Sequence, residues 1–187
     1  MSKLIVSEFV TLDGVMEAPG GEPTHPHSGW VFDFMSPEQE QYKLDEVRES
    51  EALLLGRVTY EGFAQAWPGR GGEFADKMNA MPKYVASTTL QDPEWSNTTV
   101  LEGDVPEAVA KLKAEDGGPI LVGGSCTLVH ALLANDLIDE LRLMVFPVAL
   151  GSGKRVFPET ADKTVLKLAD TQVFGSGVVA HTYEAAR

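Results

Sequence analysis

The sequence predicts an α/β fold, a three-layer α/β/α domain built on a mostly parallel twisted sheet with antiparallel C-terminal strands. Three observations predict it. Short strand-like runs alternate with helix-like segments along most of the 187 residues, the pattern of β-α-β units. Two of these runs, Ala52–Leu55 and Ile120–Val122, are apolar throughout rather than alternating, as strands covered on both faces are. The chain then closes on Val165–Ala185, which alternates like two antiparallel strands joined at Gly175-Ser176-Gly177.

Taken in order, Leu4–Thr11 reads as a buried first strand that stops at Leu12-Asp13-Gly14, where Asp13 shapes an Asp-Gly turn. Glu17–Ser28 is punctuated by Pro19, Gly20, Gly21, Pro23 and Pro26 and reads as a long loop. Loops beyond about 12 residues in a compact domain are usually lids, binding segments or disordered. Ser36 caps a helix that opens with Pro37 and persists to about Ser50. Ala52–Leu55 is a short strand, Thr59–Trp67 a short helix, Gly69–Gly72 a break, and a weak helix follows to Met81. Lys83–Ser87 and Thr98–Leu101 are strands, and Val105–Glu115 is an amphipathic helix with Pro106 at its start. Ile120–Val122 is the central strand, Ser125–Ala134 a helix and Glu140–Ala149 a long β-rich run. A single domain over 1–187 is expected, because domains run to roughly 100–200 residues.

Hydrophobic residues make up 43% and charged residues 23%, ordinary for a soluble globular protein. No apolar run approaches the ~20 residues that span a bilayer, and the first ten residues carry one lysine and enter a strand pattern, so neither spanning nor secretion is expected. A formal net charge of −13 argues against sequence-blind nucleic-acid binding, which needs lysine and arginine to replace counterions. An anionic ligand must therefore be held locally, by backbone donors at helix N-termini and a placed arginine. Cys126 is the single cysteine, which excludes an intrachain disulfide and a cysteine-based zinc cluster and fits a reducing cytoplasm. His25 and His27 have a chelating spacing but no carboxylate cluster to complete it, so no metal is expected; His130 and His181 read as structural.

Two glycine turns carry the chemistry. Gly56-Arg57-Val58-Thr59 follows the strand Ala52–Leu55, and a sharp turn into a helix beside a bidentate cation suits a phosphate clamp. A plain turn with Arg57 on the surface is the equal alternative. Gly123-Gly124-Ser125-Cys126-Thr127 follows the central strand, and adjacent glycines let a diphosphate reach main-chain atoms. It is neither the dinucleotide GxGxxG nor a P-loop. At a third strand end, Ser87-Thr88-Thr89 offers hydroxyls to a phosphate or ribose, or is an ordinary polar terminus. Cys126 reads as packing rather than as a nucleophile. Candidates for proton transfer are Glu8, Asp13 and Asp33.

In combination and order, these segments resemble the dihydrofolate reductase fold, and more closely the reductase domain of bifunctional riboflavin-biosynthesis proteins, in a stand-alone bacterial form. Val10–Gly14 resembles the opening strand and active-site loop, Leu54–Glu61 the Gly-Arg-x-Thr-aromatic-Glu stretch, and Val85–Thr89 a strand ending in hydroxyls. Ile120–Ser125 matches the Gly-Gly turn, and Asp139-Glu140-Leu141 with Pro147–Gly153 the riboflavin-type continuation.

The resemblance implies NADPH as cofactor. Gly56, Arg57, Val58 and Thr59 would hold its phosphates, and Ser87, Thr88 and Thr89 the adenosine 2′-phosphate side. Gly123, Gly124, Ser125, Cys126 and Thr127 would hold the pyrophosphate, Asp13 and Gly14 would lie beside the cofactor in the loop, and the backbone near Phe9 would take the nicotinamide amide. Hydride would pass to a C=N or C=O bond of a small heterocycle between the first strand and the helix from Pro37. Asp33 stands where the resemblance puts a catalytic acid, after Trp30. Its spacing is shorter than in dihydrofolate reductases and it precedes the helix, which argues against folate. No His/Cys zinc set of a deaminase is present. The expected protein is thus a cytoplasmic NADPH-dependent reductase of a small molecule, with a nucleotide-binding protein without turnover, or a dihydrofolate reductase, as alternatives. Leu141–Leu150 and the closing hairpin form the expected seam of a homodimer.

Overall fold

A computed structural model describes residues 1–160 and 162–186. Its strands are β1 (Leu4–Thr11), β2 (Ala52–Gly56), β3 (Lys83–Ala86), β4 (Thr98–Leu101), β5 (Ile120–Gly123), β6 (Glu140–Phe146), β7 (Leu166–Val173) and β8 (Val179–Ala185). They form one sheet in the order β4-β3-β2-β5-β1-β6-β8-β7. β1 to β6 pair in parallel, while β8 runs antiparallel to both β6 and β7. The mostly parallel sheet with an antiparallel C-terminal edge is the architecture that the sequence predicts.

Among the described residues five α-helices cover the sheet: α1 (Pro37–Glu49), α2 (Arg57–Ala66), α3 (Glu73–Ala80), α4 (Val105–Ala114) and α5 (Cys126–Ala134). Period-two alternation sorts each strand between the two layers. Leu4, Val6, Leu54 and Val122 pack with Val109 and Leu112 of α4 and with Leu128, Val129 and Leu132 of α5. Ile5, Leu53, Leu55 and Leu121 face the other way, onto Val47 of α1, Tyr60 of α2 and Met78 of α3. Strands that are apolar at every position are required by this two-sided burial. Among the described residues no helix is long and apolar enough to cross a membrane.

Boundaries move where local hydrogen bonds compete with the expected element. The helix expected from Thr59 starts at Arg57, because Gly56 is extended (φ −80, ψ 163) and acts as its N-cap. β3 ends at Ala86 rather than Ser87, since the Ser87 hydroxyl oxygen accepts the N–H groups of Thr89 and Leu90, a local turn that draws the chain out of the ladder. The run expected to Ala149 leaves the sheet at Phe146, where Val148 N–H turns back onto the Phe146 carbonyl and Leu12 N–H takes the Val148 carbonyl. The 17–28 loop is tied down: Trp30 Nε1 donates to the Glu17 carbonyl at 2.9 Å and Gly29 N–H to the Ala18 carbonyl, while a ring nitrogen of His25 lies 3.1 Å from the Ser152 carbonyl.

Lys83, fully buried at the start of β3, is the least expected core residue. Its Nζ donates to the carbonyls of Asn79, Met81 and Ser96 at 2.7, 2.9 and 3.0 Å and lies 4.3 Å from the centre of the Trp95 ring. The ammonium thus closes the C-terminal end of α3, where unpaired carbonyls collect, and ties it to the strand β4 approach. Lys83→Met, which keeps the bulk and removes the donors, should destabilise the fold by about 1–3 kcal/mol. Urea denaturation reads this directly, and a variant as stable as the wild type would show that the three carbonyls do not need the amine.

Candidate functional site

The sheet has a topological break between neighbours β2 and β5. The chain leaves the carboxyl end of β2 toward α2, on one face, and leaves β5 toward α5, on the other. Divergent exits open a crevice at that end of the sheet, the usual ligand position in α/β folds. Both glycine turns lie there, and they touch. Gly56 N–H donates to Ser125 Oγ at 2.7 Å, and a methyl on Gly56 would stand 3.1 Å from Ser125 Cβ. Gly124 is left-handed (φ +68), and a Cβ on it would come within 3.0 Å of Thr59 Oγ1. Glycine is required here by both the backbone and the close approach.

The helix starts differ in a telling way. Ser36 caps α1 and Asp104 caps α4 through side-chain hydrogen bonds, and α1, α3 and α4 carry acids in their first turns. α2 and α5, which open on the crevice, have neither a side-chain cap nor an acid in the first turn. Their leading N–H groups therefore lack intrahelical acceptors and keep the positive end of the helix dipole unneutralised. Ser125, before α5, is itself left-handed (φ +69, ψ 59), a conformation a serine rarely holds.

Beside this crevice a cavity of about 770 Å³ runs along the ends of β3 and β4, lined by Arg57, Ser87, Thr88, Thr89, Leu101 and Gly103. Arg57 is half-exposed and pairs with Glu61 at 3.1 Å, one turn along α2. The glycine turns, Arg57 and the hydroxyl segment thus form one continuous rim.

Glu8 stands behind the second turn. Its Oε2 accepts Gly124 N–H at 3.0 Å, its Oε1 has no hydrogen-bond partner, and it is only 5% exposed. Burial pushes its carboxyl well above the ordinary range, against the lowering effects of the Gly124 hydrogen bond and of Lys43. On the opposite side of β1, Lys43 of α1 donates to Ser7 Oγ at 2.8 Å, pairs with Glu46 and lies 5.3 Å from the centre of the Phe9 ring. Phe9, Trp30 and Phe34 each make a T-shaped contact with buried Phe146, with centroids 5.5, 5.4 and 6.1 Å away. This half of the crevice has an apolar, aromatic floor.

The family is decided by comparison. Residues 2–180 match the model of the RibD C-terminal domain. The chain belongs to the RibD C-terminal domain family. It is similar to the uncharacterized protein YyaP of Bacillus subtilis (strain 168), 28% identical over 97% of this chain and 94% of that one. Among solved structures it resembles a candidate riboflavin biosynthesis protein from Shewanella sp. PV-4, with a TM-score of 0.77 and 21% identity over 99% of both chains. It also resembles dihydrofolate reductase from Enterococcus faecalis, solved with NADP(H) and RAB-propyl, with a TM-score of 0.63 and 18% identity over 99% of this chain and 97% of that one. The fold is therefore that of the dihydrofolate reductases, a reductase-like fold.

Within this RibD C-terminal domain the residues singled out in the sequence fall into three groups. Gly56 to Thr59 and Gly123 to Thr127 meet across the crevice, and Ser87 to Thr89 line its neighbour cavity. Asp13 is tied elsewhere: its carboxylate accepts Leu150 N–H and Gly151 N–H at 3.2 and 2.7 Å and the Thr11 hydroxyl at 2.5 Å. Asp33 sits on a short 3-10 turn, Phe32–Phe34, exposed and, among the described residues, without a side-chain hydrogen bond or ion pair. Cys126 has a histidine nearby after all, with His130 Nε2 at 3.5 Å, but that nitrogen also lies 2.8 Å from the Arg155 carbonyl, so it is a donor and not a base. Lys43, bonded to Ser7, and Arg155, whose Nε donates to the Asp13 carbonyl at 3.1 Å, anchor the surroundings and are not visible in the sequence pattern, since Ser7 and Asp13 lie 36 and 142 positions away from them.

The Asp13 hydrogen bonds hold its carboxyl down to about 2 from an ordinary 3.8, the Thr11 hydroxyl contributing most. A carboxylate whose pKa is lowered on folding stabilises above its unfolded value and loses that contribution as pH falls through the folded value. Asp13→Ala should therefore be less stable at neutral pH, by about 0.5–1 kcal/mol once solvent screening of this partly exposed carboxylate is counted, and the difference from wild type should shrink between pH 3.8 and about 2. Denaturant titrations across that range test it; a pH-independent difference would remove the carboxylate as the cause.

Proposed function

We propose that the protein is an NADPH-dependent reductase that transfers hydride to a C=N or C=O bond of a small heterocycle, akin to the 5-amino-6-(5-phosphoribosylamino)uracil reductase step of riboflavin biosynthesis. The observation that carries this reading is the pair of uncapped, acid-free helix N-termini facing one crevice in a chain of net charge −13. An acidic protein that leaves two such ends bare has local sites for two anionic groups.

When bound, NADPH supplies the hydride. The chain's own residues supply the rest. The N–H groups at the starts of α2 and α5 take the diphosphate, with Thr59 and Ser125 between them. Arg57, with Ser87 and Thr88 across the cavity, takes the 2′-phosphate side. The backbone near Phe9 holds the nicotinamide amide, and the floor around Phe146 keeps water from the reacting face. Of the acids weighed for proton transfer, Asp13 is occupied by three donors, from Thr11, Leu150 and Gly151, and Glu8 faces α5. Asp33, exposed and without a partner among the described residues, is the acid assigned to relay a proton from solvent.

We place a dimer seam at the antiparallel edge alone, because Leu141, Met144 and Phe146 of the Leu141–Leu150 run expected there are buried inside the sheet, between β1 and β8. β7 is exposed along nearly its whole length, with Leu168 and Val173 open to solvent, and the sheet face carrying Leu168, Tyr183 and Val173 extends beyond α5. A second copy covers it, within a cytoplasmic enzyme. Sedimentation equilibrium should give twice the chain mass; a monomer at micromolar concentration removes the dimer.

Thermal-shift titration tests the cofactor. NADPH at ~100 times its dissociation constant should add about 2.7 kcal/mol of stability. Arg57→Ala should weaken NADPH roughly ten- to a hundredfold, the size of a lost charge-assisted hydrogen bond, and NADH much less. No shift with either nucleotide would sink the reading. Turnover is followed as loss of reduced-nicotinamide absorbance over a panel of pyrimidines, with dihydrofolate expected to be inactive; binding without any turnover would leave a nucleotide-binding protein.

A further inference from the structure

Glu8 meets the Gly123-Gly124 turn from inside the sheet. The β1–β5 register ends at Ser7 opposite Gly123, so Glu8 is the first residue of β1 past that shared ladder, while on its other side it still pairs with Leu143 of β6. The side chain enters the gap and draws Gly124 N–H inward, 3.0 Å away, so this donor faces the protein and not the crevice. Its second oxygen is buried and unpartnered.

The neighbouring charges do not neutralise it. α1, across the sheet, brings Lys43 and Glu46 with opposing effects, and Lys43 is already paired with Glu46 and bonded to Ser7. α5 brings Cys126, the first residue of the helix, whose thiol is influenced in turn by Glu8, Glu17 and Lys154. β6 opposes Glu8 with Leu143. No ion pair to Glu8 is formed among the described residues. In its ionised form the carboxylate therefore puts a negative charge directly behind the donors that an anion on α5 would use.

We propose that Glu8 is a positioning residue that couples anion binding at the start of α5 to uptake of a proton. The neutral carboxyl leaves the helix end positive and admits a diphosphate; the carboxylate opposes it through the Gly124 peptide. By linkage the bound anion favours the protonated form of Glu8 to the same degree that protonation favours the anion. This rests on the cleft being the dinucleotide site proposed above.

The test uses the oxidised dinucleotides NAD+ and NADP+, which tolerate acid, with wild type and Glu8→Gln between pH 5 and 9. NAD+ has no phosphate that titrates in this range, so its profile isolates the protein. The wild-type dissociation constant should rise with pH, approaching tenfold per unit where Glu8 ionises, and that of Glu8→Gln should stay flat. Calorimetry in buffers of different ionisation enthalpy should show proton uptake on binding to wild type and less, by up to one proton, for the variant. If the variant does not fold, the ¹³C carboxyl resonance of Glu8 in wild type serves: NAD+ should move its titration midpoint to higher pH. Equal pH profiles for the two proteins, or an unmoved Glu8 midpoint, overturn the coupling and leave the dinucleotide site standing. Absence of any dinucleotide binding at any pH overturns both.

Discussion

The contact between the two glycine turns organises the functional end of this molecule. A parallel sheet can place several strand ends side by side, but it cannot make the turns that follow them cooperate. Here Gly56 N–H reaches Ser125 Oγ, and Gly124 packs so closely on Thr59 that a Cβ there would crowd the threonine hydroxyl. Each turn therefore fixes the other, and the starts of α2 and α5 are held at a set separation. The left-handed backbone at Gly124 and Ser125 is the conformational cost of that arrangement.

Electrostatics then follow from what is left out. The chain is strongly acidic, and carboxylates occupy the first turns of α1, α3 and α4. Their absence from α2 and α5 leaves two localised positive ends in a negative protein. Glu8 is the exception within the crevice, yet it reaches the turn from behind and through a peptide N–H. The two halves of the crevice are chemically distinct: polar donors and hydroxyls lie toward β3 and β4, and an aromatic floor around Phe146 lies toward β6.

The core around this site is ordinary in its apolar packing apart from the fully buried Lys83, and the half-buried Asp13 stands at its margin. Lys83 is satisfied by three carbonyls, and Asp13 by a hydroxyl and two peptide N–H groups. Both join segments that periodicity treats as unrelated. Asp13 ties the turn after β1 to the Leu150-Gly151 segment, more than 130 residues away, and so braces the loop over the aromatic floor.

Strand and helix types, their order and the two glycine turns were legible in the sequence because they depend on local chemistry: apolar runs with two buried faces, capping serine, proline at a helix start, glycine at a strand end. The hydroxyl segment at Ser87 was legible for the same reason, and its turn shortened β3 only because a side-chain oxygen captured two peptide donors. Asp33 was chosen by its place after Trp30, and nothing local revealed that it would stand exposed on a 3-10 turn. The strand order, the divergence of β2 and β5, the meeting of Gly124 with Thr59 and the burial of Glu8 beneath that turn belong to the tertiary structure. The sequence by itself determined which segments would be strands, helices and glycine turns, because backbone sterics and two-sided burial act over a few residues. Only the tertiary structure decided that the turns share one crevice and that a carboxylate lies behind it, because those relations join residues about 70 and 116 positions apart and depend on how strands are ordered in the sheet.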